Sequence, residues 1–481
     1  MAIKLYNTLK KQKEEFKPGE QGKVKMYVCG PTTYNYIHLG NARPIVVFDV
    51  VRRYLEYRGY QVTYIQNFTD VDDKIINRAA EEGIEPLQLA ENYIKEYFKD
   101  ADQLNVRRAD VHPKVSEHIG DIVSAVEKLI EDGYAYEQGG NVYYSIEKFS
   151  NYGKLSGRSI DDMQAGARIE VNQEKKHPMD FVLWKNAKEG EPSWESPWGQ
   201  GRPGWHIECT VMSIKYLGEN FDIHGGGYDL VFPHHENEIA QSEAYTGSPF
   251  ARYWIHNGFI TVNQEKMSKS LGNFFLVREI LEKFDAQVVR FYLLSTHYRS
   301  PLDFDDEKLE VSKKSFERIT NTYQRLLEVE RIGKLDAPWG EYEKEMDEKV
   351  KELKLKFEKA MDDDFNTSLA IAAIFDWAKD VNQYLHSKQE REEKPNLDVV
   401  RQSLELVNNF GQVLGLDFSV SAEAEGSESV AASPFIELLL EVRQQARVDK
   451  NWAAADMIRD RLTELGVVIE DTPQGARWKW R

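Results

Sequence analysis

Residues Lys23 to Tyr57 read KVKMYVCGPTTYNYIHLGNARPIVVFDVVRRYLEY. The apolar run Val24 to Val28 predicts a buried strand. Cys29-Gly30-Pro31-Thr32-Thr33 is a turn by its Gly and Pro content, and Ile45 to Tyr57 reads as an apolar helix. Strand, glycine turn and helix in that order form the first nucleotide-binding unit of a doubly wound parallel sheet. The helix N-terminus of such a unit offers backbone N–H groups to phosphate. His38-Leu39-Gly40-Asn41 falls at this junction. Gly40 has no side chain to keep a flat adenine ring off the backbone. His38 and Asn41 can donate to an α-phosphate as charge builds on it. The tetrapeptide alone is weak evidence, because nucleotidyltransferases carry a similar box.

Outward from this unit, Gln61 to Asn67 reads as a second buried strand, and Asp70 to Ile76 opens the next helix. Far downstream stands Lys266-Met267-Ser268-Lys269-Ser270, followed by Leu271-Gly272-Asn273. Two ammonium groups and two hydroxyls before a glycine suit a loop that wraps a polyphosphate. KMSKS together with HLGN resembles the paired signature motifs of class I aminoacyl-tRNA synthetases. The wider class usually ends the first box in His, where this chain has Asn41. An amide still donates, so activity is expected to survive the change.

With 481 residues the chain has room for two to four domains. No apolar run approaches a membrane span, and the lysine-rich start lacks the apolar core of a signal peptide. Two cysteines exclude a disulfide framework and fit a reducing cytosol, so a cytoplasmic protein is expected. The net charge of −18 would repel RNA at long range, although local basic patches still bind it. The last 47 residues carry eight Lys/Arg and eight Asp/Glu, so the acidity lies upstream.

The expected architecture is α/β: a Rossmann-like doubly wound parallel sheet with an insertion domain, a helical bundle and a small C-terminal α/β domain. Residues 1–115 form the first half of the Rossmann domain, 116–204 an insertion rich in Gly, Pro and Trp, and 205–265 the second half. Residues 266–330 hold the KMSKS loop and following helices. A charge-patterned helical bundle spans 331–418, an acidic linker 419–434, closed by Pro434, and the final domain 435–481.

Both cysteines lie beside the motifs. Cys29 ends the first strand, and Cys209 lies in RPGWHIECT. Downstream comes FDIHGGGYDLVFPHHENEIAQSEA, in which Pro233 suits a helix start and His234 and Glu238 share a helical face. Two thiolates, an imidazole and a carboxylate make a tetrahedral zinc set. By spacing alone His235 and Glu236 serve equally well, and free cysteines are as often small buried hydrophobes.

These segments, in this order across essentially the whole chain, resemble the cysteinyl-tRNA synthetase family. The resemblance implies one zinc ion held by Cys29, Cys209, His234 and Glu238, to which the sulfur of the substrate L-cysteine adds. It implies that Thr32, Thr69, Trp205 and Asp229 surround the amino acid, with Asp229 on the α-ammonium and Trp205 as a wall. ATP, with Mg²⁺, would be held by His38, Gly40, Asn41, Lys266 and Lys269. Of these, His38, Asn41, Lys266 and Lys269 carry catalysis. His206, His224 and His256 read either as support for the metal or as ordinary core histidines. The C-terminal domain would read the anticodon of tRNA(Cys), with Arg447, Trp452, Asp456 and Asp471 as candidate contacts. The family is usually monomeric. The nearest rival is a ligase that passes cysteine to a sugar amine by the same adenylate chemistry. It lacks the terminal domain present here as Phe435 to Arg481.

Overall fold

The computed structural model describes residues 2–159, 174–262, 265–266, 274–332, 339–420, 427–465, 467–472 and 475–480. It divides into two units, Met1–Phe418 and Ser419–Arg481.

At the centre of the first unit lies a four-stranded, wholly parallel sheet in the order Ala251–Asn257, Phe221–Gly227, Lys23–Val28, Gln61–Gln66. Its strands are buried along most of their length toward their carboxyl ends, even where polar residues stand, because helices cover both faces. The strand Lys23–Val28 sits inside the sheet, with the next strand in sequence, Gln61–Gln66, on one side and the much later Phe221–Gly227 on the other. Its carboxyl end therefore opens at the switch point where doubly wound sheets bind ligands. An antiparallel hairpin, Lys4–Asn7 with Gln12–Glu15, flanks the sheet, and Thr8 N donates to Trp254 O.

The helix that follows the first strand runs Leu39–Tyr57, six residues longer at its start than the expected Ile45. The reason is a cap. Asn41 N donates to His38 Nδ1, and His38 N donates back to Asn41 Oδ1, each at 3.2 Å. This reciprocal pair satisfies two otherwise orphaned donors, so the helix begins inside the HLGN box. The following helix begins at Asp73, capped by Asp72.

Pro233 does not start an α-helix. Val231–His235 form an irregular wide turn, and the helix proper is Glu236–Thr246. Phe232 keeps an extended backbone there, as a residue before proline prefers.

Within the insertion, Ala135–Gln138, Asn141–Tyr144, Phe181–Asn186 and Gly201–Pro203 form an antiparallel sheet. Its Tyr144, Phe181, Leu183 and Trp184 share one apolar cluster with Tyr27, Ile65, Ile207 and Cys209 of the parallel-sheet domain. The insertion sheet is thus packed against helix Trp205–Leu217, which carries Ile207 and Cys209. Beyond the signature loop, helices Asp306–Ile332, Glu341–Asp362, Thr367–Glu390 and Leu397–Leu414 build the bundle. Its core is continuous with that of the parallel sheet. Arg290 is fully buried at the junction, where it pairs with Asp49 and donates to Leu414 O and Leu104 O.

The second unit has helices Ser427–Val448 and Trp452–Glu464 and a hairpin, Val467–Thr472 with Gly475–Trp480. Ile436, Leu440, Leu462 and Val467 form its small core. The first helix carries through Pro434 into the stretch read as linker. The Ser-Pro signal is overridden by the helical continuation on both sides, so 435 is no boundary in secondary structure. No helix among the described residues is long and apolar enough to cross a membrane.

Candidate metal centre and nucleotide cavity

The carboxyl end of Lys23–Val28 delivers Cys29 to the switch point, and helix Trp205–Leu217 brings up Cys209. Their sulfurs are 3.6 Å apart. Glu238, from the first turn of its helix, sets Oε1 3.5 Å from Cys29 Sγ and 3.0 Å from His234 Nε2. Cys29, Cys209, His234 and Glu238 thus converge within one ligand-sized space. A tetrahedral ion with bonds of about 2.3 Å to sulfur and about 2.0 Å to N or O spaces its donors by about 3.8 Å (S to S), 3.5 Å (S to O) and 3.3 Å (N to O). The observed separations fall near those values, so the residues fit a metal.

The histidines around this cluster are oriented as metal surroundings require. His206 Nδ1 and His234 Nδ1 lie 2.9 Å apart, which turns His234 Nε2 inward. His224 Nε2 holds the other Glu238 oxygen at 2.8 Å. His235 points Nε2 at Cys29 Sγ, 3.3 Å away, and is tied through His256 to Thr8 Oγ1. Cys29, His224, His235 and Glu238 therefore form a second, overlapping group of possible ligands. Glu236, the other residue left open by spacing, is elsewhere: it accepts from Leu155 N and Ser156 N of the insertion.

Burial and mutual contact shift the acidities across the cluster in opposite directions. Burial pushes the Cys29 thiol well above its usual range. Burial also opposes ionisation of Cys209, but hydrogen bonds from Cys29 and His234 bring it down to about 6. For His234 burial disfavours the imidazolium, and the Glu238 carboxylate overcomes this, raising it to about 10. Burial holds His206 and His235 well below normal and His256 at about 3, all neutral near pH 7. Glu238 stays ionised in spite of burial because His224 and His234 face it.

Beside the cluster lies a cavity of about 340 Å³, lined by Cys29, Thr32, His38, Gly40, Asn41, Trp205 and Asp229, among others. Trp205, 41% exposed, lies over His234 with ring centroids 4.4 Å apart. Asp229, in the short turn after Phe221–Gly227, is exposed at the rim. Thr69 is different: it is buried, and its hydroxyl donates to Glu208 Oε2 at 2.8 Å. It backs the wall, since Thr33 N donates to Thr69 O and Thr69 N to Pro31 O. Gly30 is required here, because an added Cβ would stand 1.7 Å from Asn67 O.

The opposite wall carries the nucleotide motifs. In the cap described above His38 Nδ1 accepts, so the fitting tautomer carries its proton on Nε2. Asn41 Oδ1 also accepts, which leaves its NH₂ as the donor group. The chain leaving the signature loop returns to this box: Leu39 N donates to Phe275 O, Val277 N to Ile37 O, and Phe274 packs on His38. Lys266 lies in the short strand Glu265–Lys266, paired with Thr261–Val262. Lys269 lies outside the described residues.

In the second unit Trp452 is 58% exposed at the start of its helix. It is not the core residue that a small domain would most simply make of it. Asp456 pairs with Arg459 at 3.1 Å, and Arg447 lies in the last turn of Ser427–Val448. Asp471 pairs with Ala476 in the hairpin. The hairpin register sets Trp478 and Trp480 opposite Ile469 and Val467, and Arg477 and Lys479 opposite Glu470 and Val468.

Comparison with known proteins gives a consistent outcome. The family described as tRNA synthetases class I (C) catalytic domain matches residues 15–314. The DALR domain matches 356–419, and the cysteinyl-tRNA ligase anticodon binding domain matches 431–481. The chain is 61% identical to the cysteine–tRNA ligase of Carboxydothermus hydrogenoformans, over 99% of this chain and 100% of that protein. It is 60% identical to that of Desulforamulus reducens, over 99% of each. Among solved structures, methionyl-tRNA synthetase of Mycobacterium tuberculosis in complex with methionyl-adenylate shares the fold. It aligns with a TM-score of 0.63 at 15% identity, over 82% of this chain and 90% of that one.

Proposed function

The chain belongs to the cysteinyl-tRNA synthetase family of class I synthetases, and from that premise we propose that it joins L-cysteine to tRNA(Cys) in two steps, the first of which consumes ATP. The observation that carries this reading is the cluster of Cys29, Cys209, His234 and Glu238 opening into the cavity that also contains the HLGN cap.

In the first step a cysteine carboxylate oxygen bonds to the α-phosphorus of ATP. The bond from that phosphorus to the bridging oxygen breaks, and pyrophosphate leaves. The carboxylate is already ionised, so no general base is required. Catalysis is positioning and electrostatic stabilisation. His38 and Asn41 donate to the α-phosphate, Gly40 lets the adenine lie on the backbone, and Lys266 and Lys269 stabilise the β- and γ-phosphates, with Mg²⁺ accompanying ATP. In the second step the terminal ribose hydroxyl of the tRNA takes the cysteinyl group and AMP leaves.

Cys29, Cys209, His234 and Glu238 would hold zinc, which when bound supplies a soft site that takes a thiolate and spurns a hydroxyl. Size alone separates isosteres by only about 10²-fold, and serine differs from cysteine by one atom. Trp205 walls the amino-acid side, Thr32 lines it, and Asp229 pairs with the α-ammonium. Thr69 acts from behind by holding the Pro31–Thr33 turn. Arg447, Trp452, Asp456 and Asp471 contact the anticodon, where an exposed indole suits an unstacked base. Cysteine-dependent ATP–pyrophosphate exchange, followed by transfer to tRNA(Cys), tests the reading. Exchange without tRNA charging would instead favour transfer to a sugar amine.

A further inference from the structure

We infer that Lys74 is the residue that binds the substrate's α-carboxylate, an assignment that rests on the amino-acid reading of the cavity above. Among the described residues lining the cavity, Lys74 is the sole Lys or Arg and Asp229 the sole carboxylate. A zwitterionic amino acid presents one charge of each sign to such a pair.

What sets Lys74 apart is the state of its neighbours. It sits in Asp70-Val71-Asp72-Asp73-Lys74, where an intramolecular ion pair is the simple expectation, yet all three carboxylates are engaged elsewhere. Asp70 accepts from Ser116 N and Ser116 Oγ. Asp72 caps the helix by accepting from Lys74's own backbone N–H at 2.8 Å. Asp73 is held by two cations of the insertion, Lys185 Nζ at 2.9 and 3.0 Å and Arg202 Nη2. The Lys74 ammonium consequently has no ion pair among the described residues. It stands 5.7 Å over the Tyr34 ring, a geometry that steers a cation without neutralising it.

Position favours the carboxylate over the nucleotide. Tyr34 belongs to the segment that begins at Cys29 and Thr32. Backbone bonds between Pro31–Thr33 and Thr69 join that segment to the strand end preceding Lys74. Lys74 is thereby tied, through the Thr69 bonds, to the Pro31–Thr33 turn that follows Cys29, whereas His38 and Asn41 form the cap of helix Leu39–Tyr57. The insertion acquires a role as well: by holding Asp73, Lys185 and Arg202 keep Lys74 unpaired for substrate.

The test compares equilibrium binding of L-cysteine and L-cysteinol, which lacks the carboxylate, to the full chain and to Lys74→Met and Lys74→Arg. Lys74→Met should weaken cysteine about tenfold or more, leave cysteinol unchanged and leave the KM for ATP unchanged. Lys74→Arg should recover part of the loss. Equal loss for both ligands, or a change confined to the KM for ATP, would overturn the assignment. If the unaltered chain supports no cysteine-dependent exchange, the underlying reading fails first, and the assignment falls with it.

Discussion

Cys29 and Cys209 are separated by 180 residues of chain and bring their sulfurs to 3.6 Å without a disulfide. Burial and mutual contact split their acidities, Cys29 upward and Cys209 down to about 6. With His234 and Glu238 beside them, the two free thiols form a group that could hold a metal ion. Purified protein should carry one zinc per chain by elemental analysis, and Cys209→Ala should lower that content at least tenfold. Glu236→Gln should retain it, because Glu236 serves the backbone of Leu155 and Ser156. Retention of zinc in Cys209→Ala would show that the His224 and His235 group holds the ion instead.

The HLGN cap separates two jobs within one side chain. Asn41→Asp keeps the acceptor that caps His38 N but loses the NH₂ proposed to donate to phosphate, so thermal stability should hold. Asn41→Ala loses both and should cost about 1 kcal/mol of stability. Each should slow pyrophosphate exchange about 10²-fold. Unchanged exchange in Asn41→Asp would remove the amide from catalysis.

Acid sensitivity should centre partly on His112. It stacks on Phe68, shares a hydrogen bond with Gln66 O and accepts from Ala109 N. Burial lowers it to about 4. The folded state therefore favours the neutral ring, while the unfolded chain takes up a proton near pH 6.5. The resulting stability is present above pH 6.5 and is lost as pH falls from there to about 4, by roughly 3 kcal/mol at most. Urea midpoints at pH 7.5 and 5 should differ less for His112→Gln than for the unaltered chain. An identical pH dependence in the two proteins would refute this.

At the RNA end, Trp452→Ala removes an exposed indole. It should raise the KM for tRNA(Cys) in charging severalfold, while cysteine-dependent exchange and the melting temperature stay within error. A fall in exchange would place Trp452 in the fold rather than at the RNA.

Much of this was legible from residue order. The parallel sheet followed from apolar runs ending in glycine turns, and two cysteines beside a His/Glu-rich segment pointed to the residues that the fold brings together as Cys29, Cys209, His234 and Glu238. What stayed hidden was long-range. His and Asn are poor signals of a helix start, and the cap that begins the helix at Leu39 shows only in the reciprocal bonds between His38 and Asn41. Spacing left His235 and Glu236 open as ligands, because only packing sends Glu236 toward Leu155. Thr69 read as a pocket residue, since nothing local to it announces a buried Glu208 139 residues away. Pro434 read as a break because its signal is local, whereas the helix around it runs 22 residues.

The central claim is that the Cys29, Cys209, His234 and Glu238 cluster makes adenylation specific for cysteine. It is tested most directly by ATP–pyrophosphate exchange with cysteine and with serine, before and after zinc is stripped and restored. The account predicts that cysteine exceeds serine by more than about 10²-fold. Stripping zinc should abolish that margin, and restoring the metal should recover it. Serine exchange equal to that of cysteine in the zinc-loaded protein, or a margin that survives stripping, would contradict it.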